Sequence, residues 1–184
     1  MRRILSEEEL NAKQSRRNKW ISFFILAMMV FGTAGAAFVY NSESSGSTGN
    51  NGAKVQQNGN YWQANFGGAN LNFLNSPESS LNNTNFALIA NFNQFYNKTL
   101  YIASGDSSAY SEIASSLGLF SLRVQQACYQ NCSNSQYVQK DCTNNVIVYT
   151  PSETRSITGN QSCVFINGDL ATVDGFLYKT FGLA

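Results

Sequence analysis

The sequence predicts an α/β (α+β) chain, in which a single N-terminal transmembrane helix precedes a small mixed-sheet domain with about three helices and disulfides. Three observations carry this reading. Trp20–Tyr40 is an uncharged apolar run, long enough at about 1.5 Å per residue to cross a hydrocarbon core as a helix. From Tyr61 onward, short alternating segments of strand type are interleaved with stretches of helical period. The cysteines, Cys128, Cys132, Cys142 and Cys163, are even in number and all lie beyond the span.

Residues 1–19 read as a short cytoplasmic basic segment. Ser6 followed by Glu7, Glu8 and Glu9 has the pattern of a capping box, with carboxylates at the positive end of a helix. Lys13, Arg16, Arg17 and Lys19 lie just before the span, and the first cation after it is Lys54. The positive-inside rule therefore predicts a single-pass cell-membrane protein, N-terminus cytoplasmic and C-terminal domain extracytoplasmic. Ala34-Gly35-Ala36 has the form of a signal-peptidase site, but the apolar run continues through Phe38 and Val39, which favours an uncleaved signal-anchor. A pilin-type leader would carry a processing Gly before the run and an acidic residue inside it, and this chain has neither.

Membrane lipid is the first partner this reading implies. Gly32 and Ala36 form a small-xxx-small pair, the spacing through which a homodimer or a protein partner would pack against the span. Gly and Ala are common in spans generally, and that ordinary reading is the preferred one.

Residues 41–60 are dominated by Ser, Gly, Asn and Gln without apolar period and read as a flexible linker, with a root-mean-square reach of roughly 25 Å. The extracytoplasmic α/β domain is assigned to 61–184. Tyr61–Phe66 and Ala69–Leu74 alternate apolar and polar residues around Gly67-Gly68, a favoured two-residue hairpin turn, and Pro77 closes the second arm. Asn85–Tyr96 places Leu88, Phe92, Phe95 and Tyr96 at helical spacing and is read as an amphipathic helix.

Thr99–Ala103 reads as a strand, Ser108–Leu117 as a helix capped by Asp106 or Ser107, and Ser121–Cys128 as a strand, together a β-α-β unit. Val146–Tyr149 is the purest β-branched run, followed by a second hairpin of Arg155–Thr158 and Cys163–Ile166. Asp169 caps a last helix with Leu170, Val173, Leu177 and Phe181 as its apolar stripe, and Gly182 ends it.

The most restrictive fact about chemistry is that the chain has no histidine. Ser-His and Cys-His nucleophiles, imidazole bases and His-ligated zinc are thereby excluded. A net charge of +1 with 12% charged residues offers no nucleic-acid signal. In an oxidising compartment the cysteines point to two disulfides, with Cys128–Cys132 and Cys142–Cys163 the favoured pairing of three. Their spacings do not match a zinc ribbon, so no metal and no cofactor is expected. Sequons at Asn82, Asn97, Asn131 and Asn160 are candidate glycan acceptors, which would make the chain a glycoprotein.

Gly105-Asp106-Ser107 after a strand resembles the nucleophile block of the GDS (SGNH) esterases. The resemblance covers three residues and implies Ser107 as a nucleophile, although that family's catalytic histidine has no counterpart here. Asp169 and Asp174, five apart, do not share a helix face and give no carboxylate dyad. The expected function is accordingly an anchored domain with an interaction or cell-envelope structural role, and no enzyme. The alternatives are an accessory subunit of a membrane complex and, third, a His-free hydrolase using Ser107.

Overall fold

A computed structural model describes Ser47–Thr48 and residues 54–88, 90–130, 132 and 136–184. The basic segment 1–19, the apolar run 20–40 and most of the 41–60 stretch lie outside the described residues. Among those described, no helix is long and apolar enough to cross a membrane.

The described residues build two sheets with a layer of helices packed between them. The smaller sheet is an antiparallel meander of β1 (Ser47–Thr48), β2 (Lys54–Asn58), β3 (Tyr61–Phe66) and β4 (Ala69–Phe73). The β3–β4 hairpin has the expected turn. Gly67 and Gly68 have φ of 58° and 84°, the left-handed backbone that a two-residue hairpin needs and that only glycine adopts without cost. The expectation of linker over 41–60 gives way at Ser47–Thr48 and again from Lys54, where the chain pairs as strands. Val55 there is buried against the core, and its strand pairs with β3.

Beyond β4, Ser76 caps a short helix, α1 (Pro77–Leu81), accepting from the Ser79 amide, and Pro77 sits at the first helical turn. Pro77 thus opens a helix rather than merely closing a strand. The amphipathic helix expected over Asn85–Tyr96 does not form. Asn85–Phe86 is instead a short edge strand, β5, and Phe92–Gln94 a single 3-10 turn capped by the Asn91 side chain. The carbonyls of Arg155 and Ile157 take the Asn85 and Ala87 amides. Leu88 leans over Gly159, where an added Cβ would meet its Cδ2 at 2.2 Å. Asn is a weak helix former, so these tertiary bonds decide the segment.

The larger sheet adds β6 (Thr99–Ser104), β7 (Arg123–Tyr129), β8 (Val138–Lys140), β9 (Val146–Pro151), β10 (Ser156–Asn160) and β11 (Cys163–Gly168), in the order β5-β10-β11-β9-β6-β7-β8. The strands from β11 to β8 are mutually parallel, and β10 runs against β11. Helix α2 (Ser107–Leu117) connects β6 to β7 as the expected parallel unit. The expected β10–β11 hairpin forms, its first strand running on through Gly159 and Asn160 so that the turn is Gln161-Ser162.

Helix α3 (Leu170–Phe181) starts at its Asp169 cap and ends at Gly182 in left-handed conformation. Its buried surface is far wider than a stripe, because Ala171 through Tyr178 are all buried. One side meets β10 and β11. On another, Tyr178 stacks on Phe73 of the meander at 4.3 Å and Phe181 lies 5.0 Å from Phe66. Leu100, Ile102, Ile147, Val164 and Ile166 supply the sheet side of this core. The other face of the large sheet carries a smaller cluster of Ala103, Val146 and Cys163, with Tyr101, Val148 and Phe165 against it.

Both cysteine pairs are at disulfide distance, Cys128 with Cys132 (Cα–Cα 5.7 Å) and Cys142 with Cys163 (4.9 Å). The second fastens the loop before β9 to the start of β11, and its loop length corresponds to about 3 kcal/mol in the chain-entropy account.

Gly175 of α3 lies directly against the backbone of α1. A Cβ there would meet Ser80 O at 2.5 Å and Phe86 Cζ at 3.5 Å. In an exposed helix Gly→Ala stabilises by roughly 1 kcal/mol. Here Gly175→Ala is expected to destabilise by about 1–3 kcal/mol through overpacking, read as a lower urea midpoint; a raised midpoint would contradict the packing.

Candidate functional site

Three places carry the chemistry of the domain. At the carboxyl end of β6, Asp106 accepts from the Ser108 and Ala109 amides at 2.7 and 3.1 Å and is the N-cap of α2. Ser107 is the first residue of that helix and exposed, and among the described residues no titratable side chain hydrogen-bonds its hydroxyl. The Gly105-Asp106-Ser107 loop is thus a helix start, its carboxylate committed to backbone. Asp169 does the same for α3 and pairs with Arg155, whose guanidinium also donates to Ser79 O at 2.8 Å. Burial opposes ionisation of Asp169, but the Arg155 contact and the cap bonds outweigh it and hold the carboxyl below its ordinary range.

The second place joins two helices and does not show in the periodicity of either. Glu112 of α2 and Asp174 of α3 face each other in the helical layer, within hydrogen-bonding reach. Asp174 is fully buried, and its Oδ2 accepts from both the backbone and side-chain N–H of Asn75 at 2.8 Å. Tyr178 completes the group by donating to Asn75 O at 2.8 Å. Glu112 Oε1 and Asp174 Oδ1 are buried without any other partner, so a proton between them is what satisfies both.

Burial, then the charge of Asp174, pushes Glu112 up to about 8. Asp174 is also raised, by burial first, but its Asn75 donors favour the charged form. Glu112 therefore carries the proton and Asp174 the charge. The only sequence signal was that Glu112 shares a helix face with Ala109 and Ser116, both buried but neither strongly apolar.

The third place is a cleft of about 740 Å³ at the amino end of the parallel strands. The Gly67-Gly68 turn, the Phe92–Asn97 segment and the Leu119–Leu122 segment line it. Backbone bonds from Asn97 N to Phe120 O (2.9 Å) and Leu122 N to Lys98 O (3.0 Å) tie two of these segments together. Its floor is a cluster of rings, Phe66, Phe92 and Phe120, with centroids 4.9 to 5.6 Å apart. Its rim leaves Tyr96 56%, Leu119 58% and Leu122 70% exposed. Among the described residues no carboxylate lines it, and exposed Lys98 and Arg123 stand beside it in the chain.

No group of three or more metal-ligating side chains occurs among the described residues. Of the sequon asparagines, Asn82, Asn97 and Asn160 are exposed, and Asn131 lies outside the described residues.

No protein family, curated protein or solved structure matches the chain.

The acid pair makes stability depend on pH in a stated direction. Because the folded Glu112 holds its proton up to about pH 8 while the unfolded chain releases it near 4.5, the folded state binds more protons in between. The pair's contribution is complete below about pH 4.5 and is lost as pH rises through about 8. Glu112→Gln, whose amide donates to Asp174 at every pH, should flatten that slope. Glu112 is only partly buried and screened by solvent, so the expected gain at pH 8 is set at about 1.4 kcal/mol, the worth of one pKa unit. Equal slopes in urea titrations of the two proteins would refute the shared proton.

Proposed function

We propose that the chain is a non-catalytic binding module, held in the cell membrane by Trp20–Tyr40 with residues 1–19 cytoplasmic and the α/β domain outside. The anchor rests on the uncharged run and the cation asymmetry around it. The observation that carries the binding role is the rim of Tyr96, Leu119 and Leu122. Three large apolar side chains, each more than half exposed, surround one cleft. Scattered surface apolar residues are ordinary, but a cluster of this kind beside a concavity is the mark of a contact surface. The absence of acidic lining and the nearby Lys98 and Arg123 suit a partner protein with an apolar projection flanked by carboxylates.

The accessory-subunit reading draws on the same observation, since a partner that also spans the membrane would meet both the cleft and the anchor. A hydrolase centred on Ser107 draws no support from the geometry, because the neighbouring carboxylate is a helix cap. Glycans at Asn82, Asn97 or Asn160 would stand in solvent, away from the cleft at the first and last of these positions and beside it at Asn97.

Site-specific photocrosslinking of the full chain in its native membrane tests the reading. A photoreactive residue at position 122 should give a discrete protein adduct, and one at exposed position 153 should not. Leu119→Ser with Leu122→Ser should remove at least nine-tenths of the partner that co-purifies. Adducts equal at both positions, or co-purification unchanged in the double variant, would overturn it.

A further inference from the structure

The outer face of the β2–β4 meander is a second, chemically different surface. Strand register sets its side chains in cross-strand rows. Gln56 lies opposite Gln63 and Gln63 opposite Asn72, while Lys54 stands in the adjacent row with Asn65 and Asn70. Asn58 and Tyr61 form the third row, with the Tyr61 ring 52% exposed. On the inward side Val55, Ala64, Leu71 and Phe73 are buried in the core, Trp62 is half-buried and Gln57 is exposed near the end of its strand. Alternation of this kind is normal for an antiparallel sheet with one wet face.

The choice of polar residue is what needs a cause. Asn is depleted in strands, and water-facing strands usually carry charges or Thr. Here carboxamides fill nearly every outward position, with one cation, Lys54, and no carboxylate. They are also ordered. Asn58 Nδ2 donates to Gln63 Oε1 and Gln63 Nε2 to Asn72 Oδ1, each at 2.8 Å, and Asn65 Nδ2 donates to Asn70 Oδ1 at 3.1 Å. Each amide in these lines keeps an N–H or a carbonyl lone pair for a further partner. Side chains already held in place lose less freedom on binding. A concavity of about 560 Å³ opens on this surface between Lys54, Asn58, Gln63 and Asn70.

We propose that this face binds a neutral polysaccharide, its amides pairing with sugar hydroxyls and the Tyr61 ring stacking on a sugar's C–H face. Amide and hydroxyl groups each both donate and accept, so rows of one match rows of the other. A lone cation gives nucleic acid and polyanions little to bind. Tyr61 is the most exposed large apolar side chain of the meander, with Leu74 after it at the same margin, so the rows between Lys54 and Asn72 offer a protein hot spot little to anchor on. The surface is separate from the apolar cleft, and the two assignments stand or fall independently.

The test is retention of the full chain, reconstituted in nanodiscs, on cellulose, mannan and a β-1,3-glucan, with heparin as the charged control. Retention is expected on at least one neutral polymer and not on heparin at physiological salt. The triple variant Gln63→Thr, Asn65→Thr, Asn72→Thr places better strand formers on the same backbone and should lose at least fivefold in retention. Tyr61→Ala, at the sheet margin, should lose a comparable amount and guards against a folding defect in the triple variant. Retention on none of the neutral polymers, stronger retention on heparin, or retention unchanged in Tyr61→Ala and the triple variant would each overturn the proposal. Leu119→Ser with Leu122→Ser should bind polysaccharide like the native chain, which separates this result from that of the cleft.

Discussion

The burial of α3 governs the architecture. A helix with one apolar stripe needs one neighbour, but α3 hides Ala171 through Tyr178 together with Thr180 and Phe181, and so must be enclosed. The large sheet covers one side, α1 and α2 flank it, and Phe66 and Phe73 of the meander close it from the other. Burying each of Phe176, Leu177, Tyr178 and Phe181 contributes about 1.5–3 kcal/mol, an upper figure where the unfolded chain is compact. The meander is thereby more than an appendage. It is the lid of the core, and its inward residues are the half of the enclosure that the parallel sheet cannot supply.

Enclosure on all sides also explains the acid pair. A helix buried around its whole circumference has no wet face on which to place Asp174, so its carboxylate must find partners inside. Asn75 supplies two donors and Glu112 a proton, and the Tyr178 hydroxyl holds Asn75 in turn. Such a network costs stability when half-satisfied, and it ties α2, α3 and the β4–α1 connection into one arrangement. The two outward surfaces are its counterpart. The cleft forms where loops at the amino end of the large sheet meet the hairpin turn, and the carboxamide face is the solvent side of the lid.

Much of this was legible in sequence because it is local. Gly67-Gly68, the Asp106 and Asp169 caps, the Gly182 stop and the β-branched run at Val146 each declare themselves within a few residues, and each is where it was expected. What failed was non-local. Asn85–Tyr96 carried a helical period, yet backbone bonds to β10, some seventy residues on, drew its first residues into an edge strand. Lys54–Asn58 looked like linker because its single apolar residue, Val55, means nothing until β3 lies beside it. The cleft is hidden in the sequence because Tyr96 fits a helical stripe, Leu122 falls inside the expected strand Ser121–Cys128, which starts only at Arg123, and Leu119 sits in a connection. Glu112 and Asp174 lie on different helices, so no periodicity within either could pair them.

Native-state hydrogen exchange on the full chain tests the central claim, that α3 is enclosed by both sheets. Amides from Val173 to Tyr178 should exchange only through global unfolding, in the slowest class of the domain and with the same free energy as the central strands β6 and β9. Exchange of those amides by a local opening, at rates like those of edge strand β8, would show that the meander does not close the core and would contradict the account.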